Sequence, residues 1–321
     1  MYREDYNMKM QALIEDDQTY QATNRDPTTR FQTKNNSFVK RLKDLKLIDY
    51  KTARILTRYD SVCPRIYGQP KAHKHNLPLR PVIPNVTAPT YMLTKFVAEI
   101  LQRSLKSKFS TPSSFEFCKD INGTILPEGY IMISLDVVSL FTNVPRELVK
   151  QCIKDRWTEI DTEINQSLFM ELVDFCMEAS YFRYDGRYYI QTFGTAMGSP
   201  LSPILAEIAL DSVIEKAMSS LPFPVPILKK YVDDIFLAVP SDAIDHVLQE
   251  FNRHEERLQL TVEVEEECKL PYLDMTVIRN SDQTLSTEWY SKPIASGRML
   301  NWHSFHHRNT NLMWPTTSST G

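Results

Sequence analysis

The sequence predicts an α+β fold in which an antiparallel sheet is backed by helices. Helical and extended patterns follow one another irregularly, without the regular strand–helix alternation of parallel sheets. Residues 130–138 form an apolar, β-branched run, which is typical of a buried strand. Residues 181–191 and 227–239 have the pattern of hairpins, and hairpins pair their strands antiparallel.

The N-terminal third combines helices with a proline-dense segment. Residues 6–20 are predicted to form one helix and residues 38–59 one or two more. Six prolines stand between positions 64 and 89, and prolines break helices and favour extended chain. Strands and tight connections are therefore predicted over residues 64–86, followed by a helix near residues 91–106.

The rest of the chain has clear start and turn signals. A helix is predicted to begin at residues 143–145, where Pro145 suits a first helical turn, and to run to about Trp157. Asp185-Gly186 is a strong turn signal for the first hairpin, and Asp233-Asp234 is the predicted turn of the second. The other predicted elements are helices at 166–180, 200–220 and 245–257, and strands at 258–264, 272–279 and 284–290.

The composition excludes several classes of protein. With 42% apolar residues in a chain of 321, a substantial core is expected. No apolar run reaches the roughly 18 residues of a membrane span, and the N-terminus has no apolar secretory region, so an intracellular protein without a membrane partner is expected. The five cysteines contain no C-x-x-C pair, which argues against a disulfide framework and a zinc finger.

The net charge of −3 conceals a strong asymmetry. Residues 25–110 contain 18 Lys or Arg against five acids, a balance of +13, and the remainder carries −16. A basic segment can follow a phosphate backbone, and an acidic remainder can hold divalent metal. The alternative is a solvated helix surface around residues 40–51, which accounts for part of the excess.

Three acids mark the predicted chemical site. Asp136 lies at the end of the predicted strand 130–138, and Asp233 and Asp234 lie at the tip of the second hairpin. Adjacent acids between apolar strands repel each other unless a cation or protons offset the charge. If the tip lies beside Asp136, three carboxylates converge into a site for Mg²⁺, which prefers oxygen ligands. Each feature alone is more commonly an ordinary turn or strand end.

The order of motifs resembles that of reverse transcriptases, and most of all the Penelope-like retroelement enzymes. The resemblance covers about residues 5–305. It is carried by an Asp with an aromatic five residues later (135–141), Tyr-Val-Asp-Asp (231–234), a glycine- and proline-rich run (194–203), the segments 64–74 and 78–81, and the segments 270–274 and 290–293.

The resemblance implies a right-hand polymerase with fingers and palm. It implies an N-terminal helical segment at residues 1–60, fingers at 61–129, a palm at 130–300 and a frayed, off-pattern tail at 301–321. A thumb is missing from the pattern, so a truncated copy with weak grip on its duplex is expected.

The resemblance also assigns roles at the catalytic centre. Asp136 and Asp233 become ligands of two Mg²⁺ ions, with Mn²⁺ as an alternative, Asp234 a supporting carboxylate and the Val137 carbonyl a further ligand. Two such ions, about 4 Å apart, promote in-line attack of a primer 3′-hydroxyl on a nucleotide triphosphate.

Nucleotide and template roles follow from the same motifs. Phe141 becomes a steric gate against the 2′-hydroxyl, although a core role for its ring is the alternative. Arg80, with Lys71 as a second candidate, is expected to bind the triphosphate, because arginine binds phosphate in a bidentate way. The other implied contacts are Met197 and Gly198 for the nucleotide, and Tyr231, Ser199, Pro200 and Lys292 for primer and template.

The function implied is RNA-directed DNA synthesis on an RNA template, with a DNA primer and dNTPs, inside the nucleus. One alternative is a decayed or domesticated copy that only binds nucleic acid, although Asp136, Asp233, Asp234 and Gly198 are all retained. Another is a different palm-type nucleotidyl enzyme, against which Phe141 and the Tyr-Val-Asp-Asp run argue. The sequence does not indicate an oligomeric state.

Overall fold

The computed structural model describes residues 2–71 and 76–290. Its α-helices are α1 Arg3–Ile14, α2 Thr28–Asp44, α3 Tyr50–Leu56, α4 Tyr91–Ser104, α5 Ser114–Ile121, α6 Leu140–Asn143, α7 Arg146–Asp155, α8 Gln166–Glu178, α9 Ser202–Ser220 and α10 Ile244–Arg253. Its strands are β1 Tyr20–Thr23, β2 Tyr67–Pro70, β3 Leu79–Val82, β4 Tyr130–Val137, β5 Tyr181–Tyr184, β6 Arg187–Gln191, β7 Leu228–Tyr231, β8 Asp234–Pro240, β9 Leu260–Val264, β10 Lys269–Tyr272, β11 Met275–Arg279 and β12 Leu285–Trp289.

The central sheet has four strands in the order β7-β8-β4-β9, and every pair is antiparallel. Alternate side chains of a strand point to opposite faces of its sheet. One face, which includes Leu135 and Leu237, packs against the helices in the largest apolar cluster. The α+β fold with an antiparallel sheet backed by helices is therefore confirmed.

The opposite face of the sheet carries a second apolar cluster. Met132 and Phe236 pack there against α5 and the three-stranded sheet β10-β11-β12. Helix α5 was not predicted, although Ser113 caps it by accepting a hydrogen bond from the Glu116 amide, a start signal that the sequence contains. The strand predicted at 272–279 is wrong in extent, because a turn at Leu273, whose φ is +56°, divides it into β10 and β11.

The N-terminal segment is not wholly helical. The helix predicted over residues 6–20 ends at Ile14, and β1 follows it. β1 pairs with β6, so it completes a three-stranded sheet with the hairpin β5–β6. A strand of four residues has too little periodicity to be recognised alone, and its partner lies far along the chain.

Part of the basic excess is used in helix packing. Lys34 and Arg41 on α2 form ion pairs with Glu178 and Glu171 on α8, each at 2.6 Å. Such half-exposed pairs contribute about 0–1 kcal/mol each. They show that the basic segment contacts the acidic remainder as well as solvent.

The structure describes all five cysteines and the α-helices named above. None of the five cysteines is in a disulfide bond; burial raises the pKa of the Cys63 thiol to about 12. In residues 2–71 and 76–290, helices fall short of the length and apolar character that crossing a membrane requires.

Candidate active site

Two acids face each other across the central sheet. Asp136, next to the last residue of β4, lies directly opposite Asp234, the first residue of β8. Residues directly opposite in an antiparallel pair share a face, with Cβ atoms about 4.5–5.5 Å apart. Both are half-buried and lie on the same face of the sheet as Met132 and Phe236.

The turn between β7 and β8 consists of Val232 and Asp233. Tyr231 pairs with Asp234 across it, so the turn begins one residue earlier than the predicted Asp233-Asp234. Val232 has a φ of +58°, a conformation that β-branched residues rarely adopt. For this reason the sequence pattern predicted Asp233 and Asp234, rather than Val232 and Asp233, as the two turn residues. The amide of Val137 donates to the Asp233 carbonyl at 3.2 Å and joins this turn to the end of β4.

The two facing carboxylates, Asp136 and Asp234, are suitable ligands for a hard divalent cation. Mg²⁺ commonly uses one or two protein carboxylates and completes its shell with water and substrate phosphates. Like charges directly opposite each other destabilise a sheet, and a cation between Asp136 and Asp234 removes that cost. Among the described residues no group of three His, Cys, Asp or Glu side chains is found that could hold a metal ion. The metal roles of Asp233 and Val137 stay predictions.

Tyr272 supports this site, and the sequence analysis gave it no role. Its hydroxyl lies 3.0 Å from the carbonyl oxygen of Asp234 and 3.3 Å from that of Lys229, so its single proton is shared between these two acceptors. Burial, with the nearby Asp234 carboxylate second, raises the pKa of Tyr272 well above its usual value, so the hydroxyl keeps its proton. The sequence shows only a tyrosine between Pro271 and Leu273. Its two acceptors lie about 40 positions earlier in the chain, so the sequence alone could not indicate this contact.

The glycine-rich run at 194–200 forms a loop held on two sides. On one side, the amide and hydroxyl of Thr195 donate to the Phe141 carbonyl at 2.7 and 3.2 Å. On the other, the amide of Ile83, just after β3, donates to the Met197 carbonyl at 2.8 Å. The loop therefore connects the Phe141 segment, five residues beyond Asp136, with the hairpin β2–β3.

Gly198 is required by close backbone approach. Its φ is +110°, and a Cβ at this position would lie 2.3 Å from the Ile83 carbonyl oxygen. Ser199 and Pro200 follow it and are half-buried, but α9 begins only at Ser202. The helix start predicted at residue 200 is therefore two residues early, because Ser199 and Pro200 continue the loop.

The predicted phosphate-binding residues lie on the hairpin β2–β3. Arg80 is opposite Gln69, and the amide of Lys71 continues the pairing by donating to the Pro78 carbonyl at 2.9 Å. Lys71 and Arg80 consequently share one face of the hairpin, and Arg80 is exposed. The opposite face packs on α1, where a Cβ on Gly68 would lie 2.6 Å from the Met10 sulfur.

The remaining predicted contacts are distributed around the turn and loop. Phe141 is half-buried in α6 and packs against the main core, and Met197 is half-buried in the loop. Tyr231 is exposed at the end of β7. Lys292 lies outside the described residues.

Comparison with known proteins shows the family and the fold of the chain. A family model described as reverse transcriptase (RNA-dependent DNA polymerase) matches residues 70–269. No curated protein sequence matches the chain.

Solved structures resemble the chain in fold at low identity. Apo telomerase from Candida tropicalis, truncated from its C-terminal domain, superposes with a TM-score of 0.54 and 12% identity, covering 72% of this chain and 55% of that one. Telomerase from Candida albicans in complex with a fragment of telomeric RNA has a TM-score of 0.52 and 11% identity, over 86% and 53%. The Sicinivirus RNA-dependent RNA polymerase has 0.50 and 9%, over 84% and 59%. The chain thus spans about half the length of the telomerases, and the shared fold is that of polymerase fingers and palm.

Proposed function

Because the chain belongs to the reverse transcriptase family, we propose that it is an RNA-directed DNA polymerase that transfers nucleotides from dNTPs to a DNA primer on an RNA template. The observation that carries the proposal is the pairing of Asp136 with Asp234 beside the turn that holds Asp233. Mg²⁺ bound there would neutralise the triphosphate and activate the primer hydroxyl.

The surrounding residues suit the nucleotide and the template strand. Exposed Arg80, with Lys71 on the same face, offers positive charge for a triphosphate. Gly198 is exposed in the loop and is the proposed contact for the nucleotide, and the Phe141 ring lies on the segment that anchors the loop. We assign residues 61–129 to the fingers and 130–300 to the palm.

The test is primer extension on an RNA template with Mg²⁺ and dNTPs. We expect template-dependent extension, and its loss in the Asp233→Ala variant. A folded protein that binds the primer–template but never extends it would support the alternative of an inactive copy that only binds nucleic acid.

The Phe141 ring is expected to exclude ribonucleotides. In Phe141→Ala, incorporation of rNTPs relative to dNTPs should rise at least about tenfold, because the ring no longer meets the 2′-hydroxyl. The Phe141 carbonyl that accepts from Thr195 is retained, so the loop keeps its anchor. Phe141→Tyr keeps the ring and serves as the control in competition assays. An unchanged ratio in Phe141→Ala would assign the ring to the core alone.

Within the family, we propose a Penelope-like retroelement enzyme acting in the nucleus. The support is the set of sequence segments that resemble those enzymes: 64–74, 78–81, 194–200, 270–274 and 290–293. Dispersed genomic copies and nuclear localisation of a tagged chain are expected. A single-copy locus argues against the retroelement, and exclusion from the nucleus argues against the location.

A further inference from the structure

A buried lysine stands directly before the turn of the candidate active site. Lys230, in β7, has a side chain only 1% exposed, and its ammonium forms an ion pair with Asp211 on α9. Glu207, one helical turn earlier on α9, lies at 4.0 Å. Burying a lysine is unfavourable unless it is paired and hydrogen-bonded, and this lysine is both.

The ion pair is part of a network that joins three segments. Asp211 also accepts from the Ser107 hydroxyl at 3.0 Å. The Lys230 amide donates to the Phe109 carbonyl, and the Thr111 amide donates to the Lys230 carbonyl, both at 2.8 Å. Residues 107–111, β7 and α9 are therefore held in one relative position.

The two elements joined by the ion pair, β7 and α9, lie next to two different parts of the candidate site. β7 ends at Tyr231, next to the turn with Asp233, and α9 begins two residues after the glycine-rich loop. A buried ion pair is weak evidence for stability, because apolar residues of similar volume are often as stable. What an ion pair adds over apolar packing is geometric specificity, because a charged hydrogen bond favours one relative position of its two partners.

We propose that Lys230 is a positioning residue, whose ion pair with Asp211 holds the Tyr-Val-Asp-Asp turn in register with α9 and hence with the glycine-rich loop. This inference rests on the proposed function, because the register matters for nucleotide transfer. Lys230 pairs with Ile235, so its side chain points to the face of the sheet opposite to Asp136 and Asp234, and it acts through β7.

The neighbouring Lys229 provides a matched control. It also forms an ion pair, with Asp120, but the two side chains are 29% and 44% exposed. Successive strand residues point to opposite faces, so Lys229 contacts α5 rather than α9. Exposed pairs of this kind contribute little.

The experiment compares Lys229→Met, Lys230→Met and the double variant Lys230→Met/Asp211→Leu. Thermal unfolding reports stability, single-turnover dNTP incorporation gives the maximal rate, and titration gives the primer–template Kd. We expect Lys230→Met to unfold at lower temperature, because Asp211 is left buried without its partner, and the double variant to recover most of that loss. The double variant should still have a maximal rate at least about tenfold below the wild type, with Kd within about threefold; Lys229→Met should match the wild type.

Hydrogen–deuterium exchange tests the register without relying on activity. In the double variant, amides of residues 228–236 and 194–201 should exchange faster, with no change in Lys229→Met. A double variant with both the rate and the exchange of the wild type would overturn the proposal and reduce the pair to packing. If the wild-type protein itself does not extend a primer, the proposed function fails, while the exchange result still decides the role of Lys230.

Discussion

Asp136→Asn should lower the rate of primer extension by at least about 10³-fold. The amide has the size of the carboxylate but no charge, and a hard cation such as Mg²⁺ selects anionic oxygen. A loss of that size corresponds to about 4 kcal/mol of transition-state stabilisation. Single-turnover incorporation at saturating dNTP, with Mg²⁺ varied, measures it.

The same variant has a signature independent of activity. Without divalent metal, Asp136→Asn should raise the free energy of unfolding by about 0.2–1 kcal/mol, because it removes the repulsion from Asp234 across the sheet. Added Mg²⁺ should raise the Tm of the wild type, since a ligand that binds the folded state stabilises it, and should have a smaller effect on the variant. The control is Asp242→Asn, an exposed acid just beyond the other end of β8. Equal Mg²⁺ responses in the wild type and Asp136→Asn would remove this carboxylate from any metal site.

Gly198→Ala should strongly disrupt the glycine-rich loop, because the added methyl group meets backbone. Its Cβ would meet the Ile83 carbonyl oxygen at 2.3 Å, and its three nearest neighbours are backbone atoms of Ile83 and Pro84, so no flexible side chain can move aside. We expect a loss of about 3 kcal/mol or more in the free energy of unfolding, or a displaced loop with extension at least about tenfold slower. Denaturant unfolding and primer extension together distinguish these outcomes.

Gly129→Ala separates the clash from the backbone conformation. Gly129 has a φ of +80°, but a Cβ there would have no neighbour within 4 Å. Its substitution should cost about 1 kcal/mol from strain alone and leave extension unchanged. If both alanine variants lose the same stability and activity, the contact between the loop and Ile83 has no special role.

Local patterns predicted several elements well. The helix predicted near 91–106 is α4, and the hairpin predicted at 181–191 is β5–β6 with its turn at Asp185-Gly186. Apolar periodicity and turn residues are local signals, so they can be recognised without knowing how the rest of the chain packs. Short or divided elements such as β1 and β10 were missed because too few residues carry their pattern.

The residue order predicted the components of the candidate site before any fold was known: three acids at two strand ends, a glycine-rich loop and a basic hairpin. Tertiary structure alone decided that Asp234, rather than Asp233, lies opposite Asp136, and that Lys230 is buried against Asp211. The reason is physical. Which residue types are available is written along the chain, whereas strand register and the partner of a buried charge depend on how distant segments pack, and a shift of one residue reverses the face of every side chain in a strand.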